Sequence, residues 1–522
     1  MQTNANVGEA GVSRRFLSNT VLNFAGQGFL LLLNIVTAPY IVHHLGAELF
    51  GIVALVQTTA GFAGLLNLGI GRALTKYVSE LYWKGEVKTI NQIFQTAWAT
   101  CIVSGMVALL LVVGPSETIS KIFFRDGPQV NGVAGFAIYV AALGLFSSML
   151  LEAVSALPGA LQRFAICNAI NVMMGVLRCL GSVGLLAWGY SIRSVLMANL
   201  ISNLVGVAAF AIVSRNLIPG LSLIPGFNWT AFKRLFRFSL PLILSSLSTL
   251  IVTRLDRFIL AYFLPLAAVS FYTLPYSLSE KLSMGVTNIT SVVFPFTSEL
   301  HAMNAHEKVQ ELYLRSTKIL NLVMLPLTVI LLAVPGTILQ FWLGPEYASQ
   351  GAVALALLGA AAFLNAASAV PTVTSLGVGR AWMPACFAGA GAVINLVSNF
   401  LLIPRYGITG AALGALLPQA IVVPFFVYFV TRSLKFSLWR LVADGFMRPL
   451  ACAVVQFAIL YGLRGYINSR MSLMLVCFVS FAVFGVLAVF VAIENGERSA
   501  LFGGLSGWDF GRRLASAENA TE

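Results

Sequence analysis

Charge is scarce in this chain. Only 10% of the 522 residues are Asp, Glu, Lys or Arg, whereas 58% are hydrophobic and the mean hydropathy is +0.87. A water-soluble fold cannot bury that much apolar surface. Aspartate is rarer still: Asp126, Asp256, Asp444 and Asp509 lie too far apart for an Asp-x-Asp metal site. No lysine follows a glycine, which excludes a Gly-x-x-x-x-Gly-Lys phosphate loop and ATP hydrolysis of that kind. The six cysteines lie in or beside apolar stretches, with no Cys-x-x-Cys spacing and no nearby histidine. Neither a disulfide framework nor a zinc site is indicated. The one histidine pair, His43-His44, is adjacent in sequence, and adjacent side chains do not share a helix face. No metal and no cofactor is predicted.

What the chain does have is long apolar runs. A bilayer-spanning helix needs about 20 apolar residues. Runs bounded by charges and Gly/Pro turns predict spans near 19–41, 49–70, 93–114, 132–154, 169–188 and 194–213. A second set follows near 238–264, 267–296, 316–338, 350–370, 383–403 and 409–430, and a final pair near 448–466 and 472–493. The expected fold class is therefore an all-α polytopic membrane protein of about 14 transmembrane helices. The formal charge of +13 does not indicate a nucleic-acid binder, because the basic residues are scattered over short loops. Most of them fall on segments that a cytoplasmic N-terminus places inside, so both termini are expected in the cytoplasm. Ser13-Arg14-Arg15-Phe16-Leu17 resembles a twin-arginine export signal, but the apolar run behind it is too long and leads straight into another span; it reads as the anchor of the first helix.

A faint repeat divides the chain. His44 to Phe50 resembles Leu264 to Phe271, and Tyr190-Ser191-Ile192 resembles Tyr406-Gly407-Ile408, at similar offsets. The expected organisation is a cytoplasmic segment 1–18, a six-helix lobe 19–213, a second lobe 238–430, a helix pair 448–493 and a cytoplasmic tail 494–522. Duplicated halves are a common transporter architecture, with the substrate site near the midplane.

The sharpest signal is charge inside the spans: Glu152, Arg178, Arg254, Asp256, Arg257, Glu280 and Lys281. A charge facing lipid at the bilayer centre costs about 3 kcal/mol on insertion scales, so three on span seven would cost on the order of 9 kcal/mol. These groups must face protein or water. Arg254 and Arg257 are three apart and share a helix face, with Asp256 at its edge. Two guanidiniums and one acid suit a diphosphate, which needs several donors and more than one positive charge; a buried Arg-Asp pair that locks helices is the competing account. Arg178 sits midway along span five, too deep to reach either interface. Glu280 and Lys281 follow Pro275 in a stretch too long to cross straight, where a kink or a tilt is expected. Asp256 and Glu280 are candidates for a coupling ion. Glu152 reads as a boundary residue at the end of span four.

Leu45-Gly46-Ala47-Glu48-Leu49-Phe50-Gly51, Leu161-Gln162-Arg163-Phe164, and Asn395 followed by Leu402 to Ala412 together resemble the polysaccharide-biosynthesis flippases, the Wzx-type branch of the multidrug/oligosaccharidyl-lipid/polysaccharide exporter superfamily. The resemblance runs from about residue 14 to 430. It implies a two-lobed transporter that moves a polyprenyl-diphosphate-linked oligosaccharide across the bacterial inner membrane for O-antigen or exopolysaccharide assembly. The implied mechanism is alternating access driven by an ion gradient. The expected substrate-binding residues are Arg178, Arg254, Arg257 and Lys281, and polysaccharide polymerase and chain-length machinery are the expected partners. Ser270 stands where the family carries glycine before span eight. A multidrug exporter of the same superfamily would instead present acids and aromatics. A membrane polymerase or acyltransferase would carry a larger outer loop than the longest here, near 115–131, so no enzyme is predicted.

Overall fold

The computed structural model describes residues 3–67, 69–124 and 127–493. The expected tail 494–522 lies outside them, as do Asp126 and Asp509. The first helices are α1 (Thr3–Ala60), α2 (Ala63–Leu66), α3 (Ile70–Tyr82), α4 (Val87–Val113) and α5 (Ser116–Phe123). Then come α6 (Gly127–Ala160), α7 (Phe164–Ala187), α8 (Ile192–Leu217), α9 (Trp229–Phe263), α10 (Leu266–Lys281) and α11 (Met284–Ala302). The remainder comprises α12 (His306–Ala333), α13 (Pro335–Trp342), α14 (Pro345–Ala367), α15 (Ala369–Gly377), α16 (Trp382–Ser433), α17 (Leu438–Arg440), α18 (Arg448–Leu463) and α19 (Arg470–Leu487). A π-helical stretch, Leu441–Met447, joins α17 to α18. The described chain is all-helical, as the composition requires of a membrane-embedded backbone that must satisfy its own hydrogen bonds.

Ten stretches among the described residues are long and apolar enough to cross a membrane. Two are too long for one crossing at about 1.5 Å per residue, and each is broken at a glycine. In α1 the break is Gly46 (φ 78°, ψ 166°); in α16 it is Gly407 (φ 58°, ψ −131°). Beyond Gly407 the chain doubles back. Asn395 Nδ2 donates to Gly414 O (2.9 Å), Asn399 Nδ2 donates to Asn395 Oδ1 (3.1 Å), and a β-carbon on Gly410 would lie 2.2 Å from Leu402 O. Local sequence sets other ends. Asn228 caps α9 by accepting from Ala231 N–H (3.1 Å), Ser469 caps α19, and prolines open α13 and α14, where a missing N–H costs nothing.

Four expected spans are interrupted; one, 316–338, breaks at Val334 between α12 and α13. Span 49–70 gives way at residues 61–62 and again at Asn67 and Gly69, and α3 runs on to Tyr82. Span 267–296 continues through Pro275 to Lys281 and breaks at Leu282–Ser283, where the backbone tightens: Leu282 N–H bonds Ser279 O and Ser283 N–H bonds Glu280 O, both 3.1 Å. Span 350–370 is interrupted at Ser368 between α14 and α15. Apolar composition alone does not register these breaks, because each falls within a stretch whose average stays apolar.

The chain forms two compact units, residues 1–274 with 388–415, and 275–387 with 416–522. In the first, α6 packs against α4, α8, α1 and α3, and α7 lies between α1 and α8. Its largest core gathers Leu74, Phe94, Leu157, Phe210 and Leu235. In the second, α12 is central, against α14, α18 and α11. It contains a cavity of about 310 Å³ lined by hydroxyls and an amide, including Ser283, Thr287, Thr290, Asn365, Ser368 and Thr372.

Candidate functional site

The span-seven charges converge in the first unit. Asp256 (1% exposed) and Arg257 (4%) are enclosed where α9 meets the end of α1 and the start of α10. Asp256 Oδ2 accepts from the hydroxyl of Tyr272, and Oδ1 accepts from the Arg257 N–H (2.8 Å). Arg257 Nη1 donates to Thr58 Oγ1 (3.5 Å). Arg254, one turn earlier on the same face, is half-buried, and its Nε lies 3.1 Å from where a β-carbon on Gly61 would stand. Thr58 and Gly61 are themselves three apart, so two i, i+3 pairs meet face to face, with Phe62 edge-on to Phe258 beside them (5.6 Å). Gly61 has no side chain, and the guanidinium of Arg254 occupies that space.

Electrostatically the cluster holds two fixed positive charges and one acid. The acid is turned inward to Tyr272 and Arg257, which leaves Arg254 as the member with access to the unit's surface. Gln57, one turn before Gly61, donates to Asn199 Oδ1 (3.4 Å) and continues the polar strip onto α8.

The other expected residues are dispersed. Arg178 is exposed midway along α7, and among the described residues no hydrogen bond or ion pair joins its guanidinium to the span-seven cluster. Glu280 and Lys281 are exposed at the end of α10 and belong to the second unit. One group was undervalued. Because α6 continues to Ala160, Glu152 lies two turns inside the helix, half-buried, and its Oε2 accepts from Asn67 Nδ2 (2.9 Å). The available signal was a carboxylate within an apolar run; its partner, 85 residues away, was not legible.

Comparison with known proteins agrees with this architecture. The chain is 23% identical over 404 residues to a Shigella flexneri protein named for O-antigen transport, covering 76% of this chain and 93% of that one. It is 23% identical over 433 residues to a Haloferax volcanii protein named as a flippase, covering 81% and 85%. Among solved structures it resembles the lipid II flippase MurJ in an inward closed conformation, with a TM-score of 0.68 at 13% identity over 90% of this chain and 98% of that one. It also resembles an inward-facing multidrug transporter of the MATE family, with a TM-score of 0.66 at 13% identity over 78% and 94%. At such identities these structures establish a shared fold. The family model for polysaccharide biosynthesis proteins matches residues 44–351, more than half of the chain, and the protein belongs to that family.

Proposed function

We propose that this multi-pass membrane protein is a flippase that carries polyprenyl-diphosphate-linked oligosaccharide units across the bacterial inner membrane for O-antigen or exopolysaccharide assembly. The observation that carries the reading is Arg254: a half-buried guanidinium set against Gly61, with the neighbouring carboxylate committed elsewhere. Such a charge is too costly to leave against lipid. A diphosphate replaces the water it would otherwise need. Arg178, on the same unit, would extend the cationic lining, while buried Arg257 adds positive field from behind. The relatives named for O-antigen transport and flippase activity support the same substrate class.

The reaction is translocation, with no covalent bond changed. The polar head would pass through the protein while the polyprenyl tail stays in lipid, by alternating access of two lobes, 19–213 and 238–430, with 448–493 appended. The breaks at Gly46 and Gly407, and the helix ends near Tyr190 and Leu264, fall in the repeated segments and support that duplication. Fourteen spans follow if α1 and α16 each cross twice and the charge-bearing α9 and the α10–α11 stretch each cross once; the loop charges favour both termini in the cytoplasm. Exchange against a coupling cation would supply the energy, and Asp256 and Glu280 are two of the acids that could bind it. Polymerase and chain-length proteins would receive the product.

The test combines Arg254→Gln and Arg257→Gln with a leaflet-specific assay of lipid-linked sugar in cells. Arg254→Gln alone is expected to translocate at least tenfold less at normal protein level, and adding Arg257→Gln, which leaves Asp256 buried without its neighbour, is expected to lower the folded yield as well. Unchanged translocation would remove the diphosphate site.

A further inference from the structure

Between α2 and α3 the backbone is interrupted, and Gly69 takes a left-handed conformation (φ 67°) at the start of α3. Asn67, in this break, is 1% exposed and turned onto α6. Its Nδ2 donates to Met149 O (3.1 Å) and to Glu152 Oε2 (2.9 Å). The other end of the same amide, Oδ1, is buried and accepts no hydrogen bond among the described residues. Gly71 clears the ground for the acid: a β-carbon there would lie 2.9 Å from both Cγ and Oε1 of Glu152. The charged and titratable groups acting on Glu152 from the packed helices are Arg72 on α3 and the buried thiol of Cys101 on α4.

Buried polar atoms are almost always paired, so an exception calls for an explanation. An ionised carboxylate only accepts, so Glu152 takes the amide N–H and offers nothing to Oδ1. A protonated carboxyl has one O–H to give. With its proton, Glu152 would donate to Asn67 Oδ1 while still accepting from Nδ2, closing a two-bond ring between acid and amide. The ionised state has the amide N–H and the charge of Arg72; the protonated state has the ring. Acids inside membrane helices beside broken backbone mark ion and proton pathways.

We infer that Glu152 is a proton-binding site, with Asn67 as the amide that serves both of its protonation states. The proton comes from water and returns to water, and no other bond changes. The site is distinct from the arginine cluster. Only its use in driving transport rests on the flippase reading.

The full-length protein in lipid nanodiscs is examined by infrared difference spectroscopy between acidic and alkaline buffer. The wild type is expected to gain a carboxylic acid C=O band that is lost in Glu152→Gln and shifted in Asn67→Ala, where the ring cannot close. Identical spectra for wild type and Glu152→Gln, or no shift in Asn67→Ala, overturn the site; the second variant keeps Glu152 and decides the matter if the first misfolds. A band that follows Na⁺ at fixed pH overturns the proton in favour of sodium. In vesicles carrying a fluorescent short-chain polyprenyl-diphosphate disaccharide, an imposed pH gradient is expected to accelerate translocation by wild type but not by Glu152→Gln. Equal acceleration in both overturns the coupling role. A wild type that moves no lipid overturns the flippase reading instead, while the infrared result still decides the proton site.

Discussion

Asp256 and Arg257 are neighbours in sequence, yet what holds them is distant: Tyr272 on α10 and Thr58 on α1. Two enclosed charges side by side are sustained by such partners, and removing one leaves the other charge buried. Asp256→Ala is expected to cost about 3–5 kcal/mol, read as a lowered unfolding temperature in detergent; a temperature equal to wild type would show that the pair adds nothing. Gly71 offers a second measurement. A β-carbon pressed against Glu152 from 2.9 Å forces a shift, so Gly71→Ala should destabilise by about 1–3 kcal/mol. At Gly28, inside α1, a β-carbon meets nothing within 4 Å, and Gly28→Ala should leave stability unchanged or raise it by up to about 1 kcal/mol. At this scale the charged members of the site were legible, because a charge in an apolar run has few harmless explanations. Their partners were not: Thr58, Gly61 and Asn67 are ordinary residues that acquire meaning only by whom they touch.

Among the elements, the apolar runs were found and their interruptions were not. A run reports how much of the chain prefers lipid; a break depends on backbone angles that few residues betray. Gly407 is the clearest case. Its φ of 58° with ψ of −131° is open to glycine and strained for other residues, and the helices beyond it return close enough for Gly410 to sit against the Leu402 carbonyl. Gly407→Val is expected to cost about 1–3 kcal/mol, and Gly410→Val, which has no room at all, should lower the yield of folded protein more severely. Folded yields matching wild type on size-exclusion chromatography would contradict the tight reversal.

For the whole molecule, the exposed surface is itself evidence. α19 presents Met474, Leu475, Phe478 and Phe481 outward, and α4 presents Val107, Leu110 and Leu111. In water such faces would aggregate; in a bilayer they are the solvated ones. The proposed topology is checked by cysteine labelling in a cysteine-free background. An impermeant maleimide applied to intact spheroplasts should label Tyr190→Cys and leave Lys84→Cys unlabelled until the membrane is opened. The opposite pattern would invert the orientation drawn from the loop charges.

The long unbroken apolar runs by themselves determined that this chain lives in a membrane as helices, since the backbone must close its own hydrogen bonds in lipid and a barrel strand would alternate apolar with polar residues. They also marked the few charges whose expense demands a purpose. Only the tertiary structure decided which of them meet. Arg254 came to rest over Gly61 while Asp256 turned to Tyr272, and Glu152 found Asn67 across 85 residues of chain. Hydrophobicity acts on each residue separately and can be read one residue at a time; hydrogen bonds and close approach belong to pairs, and pairs exist only once the chain has folded.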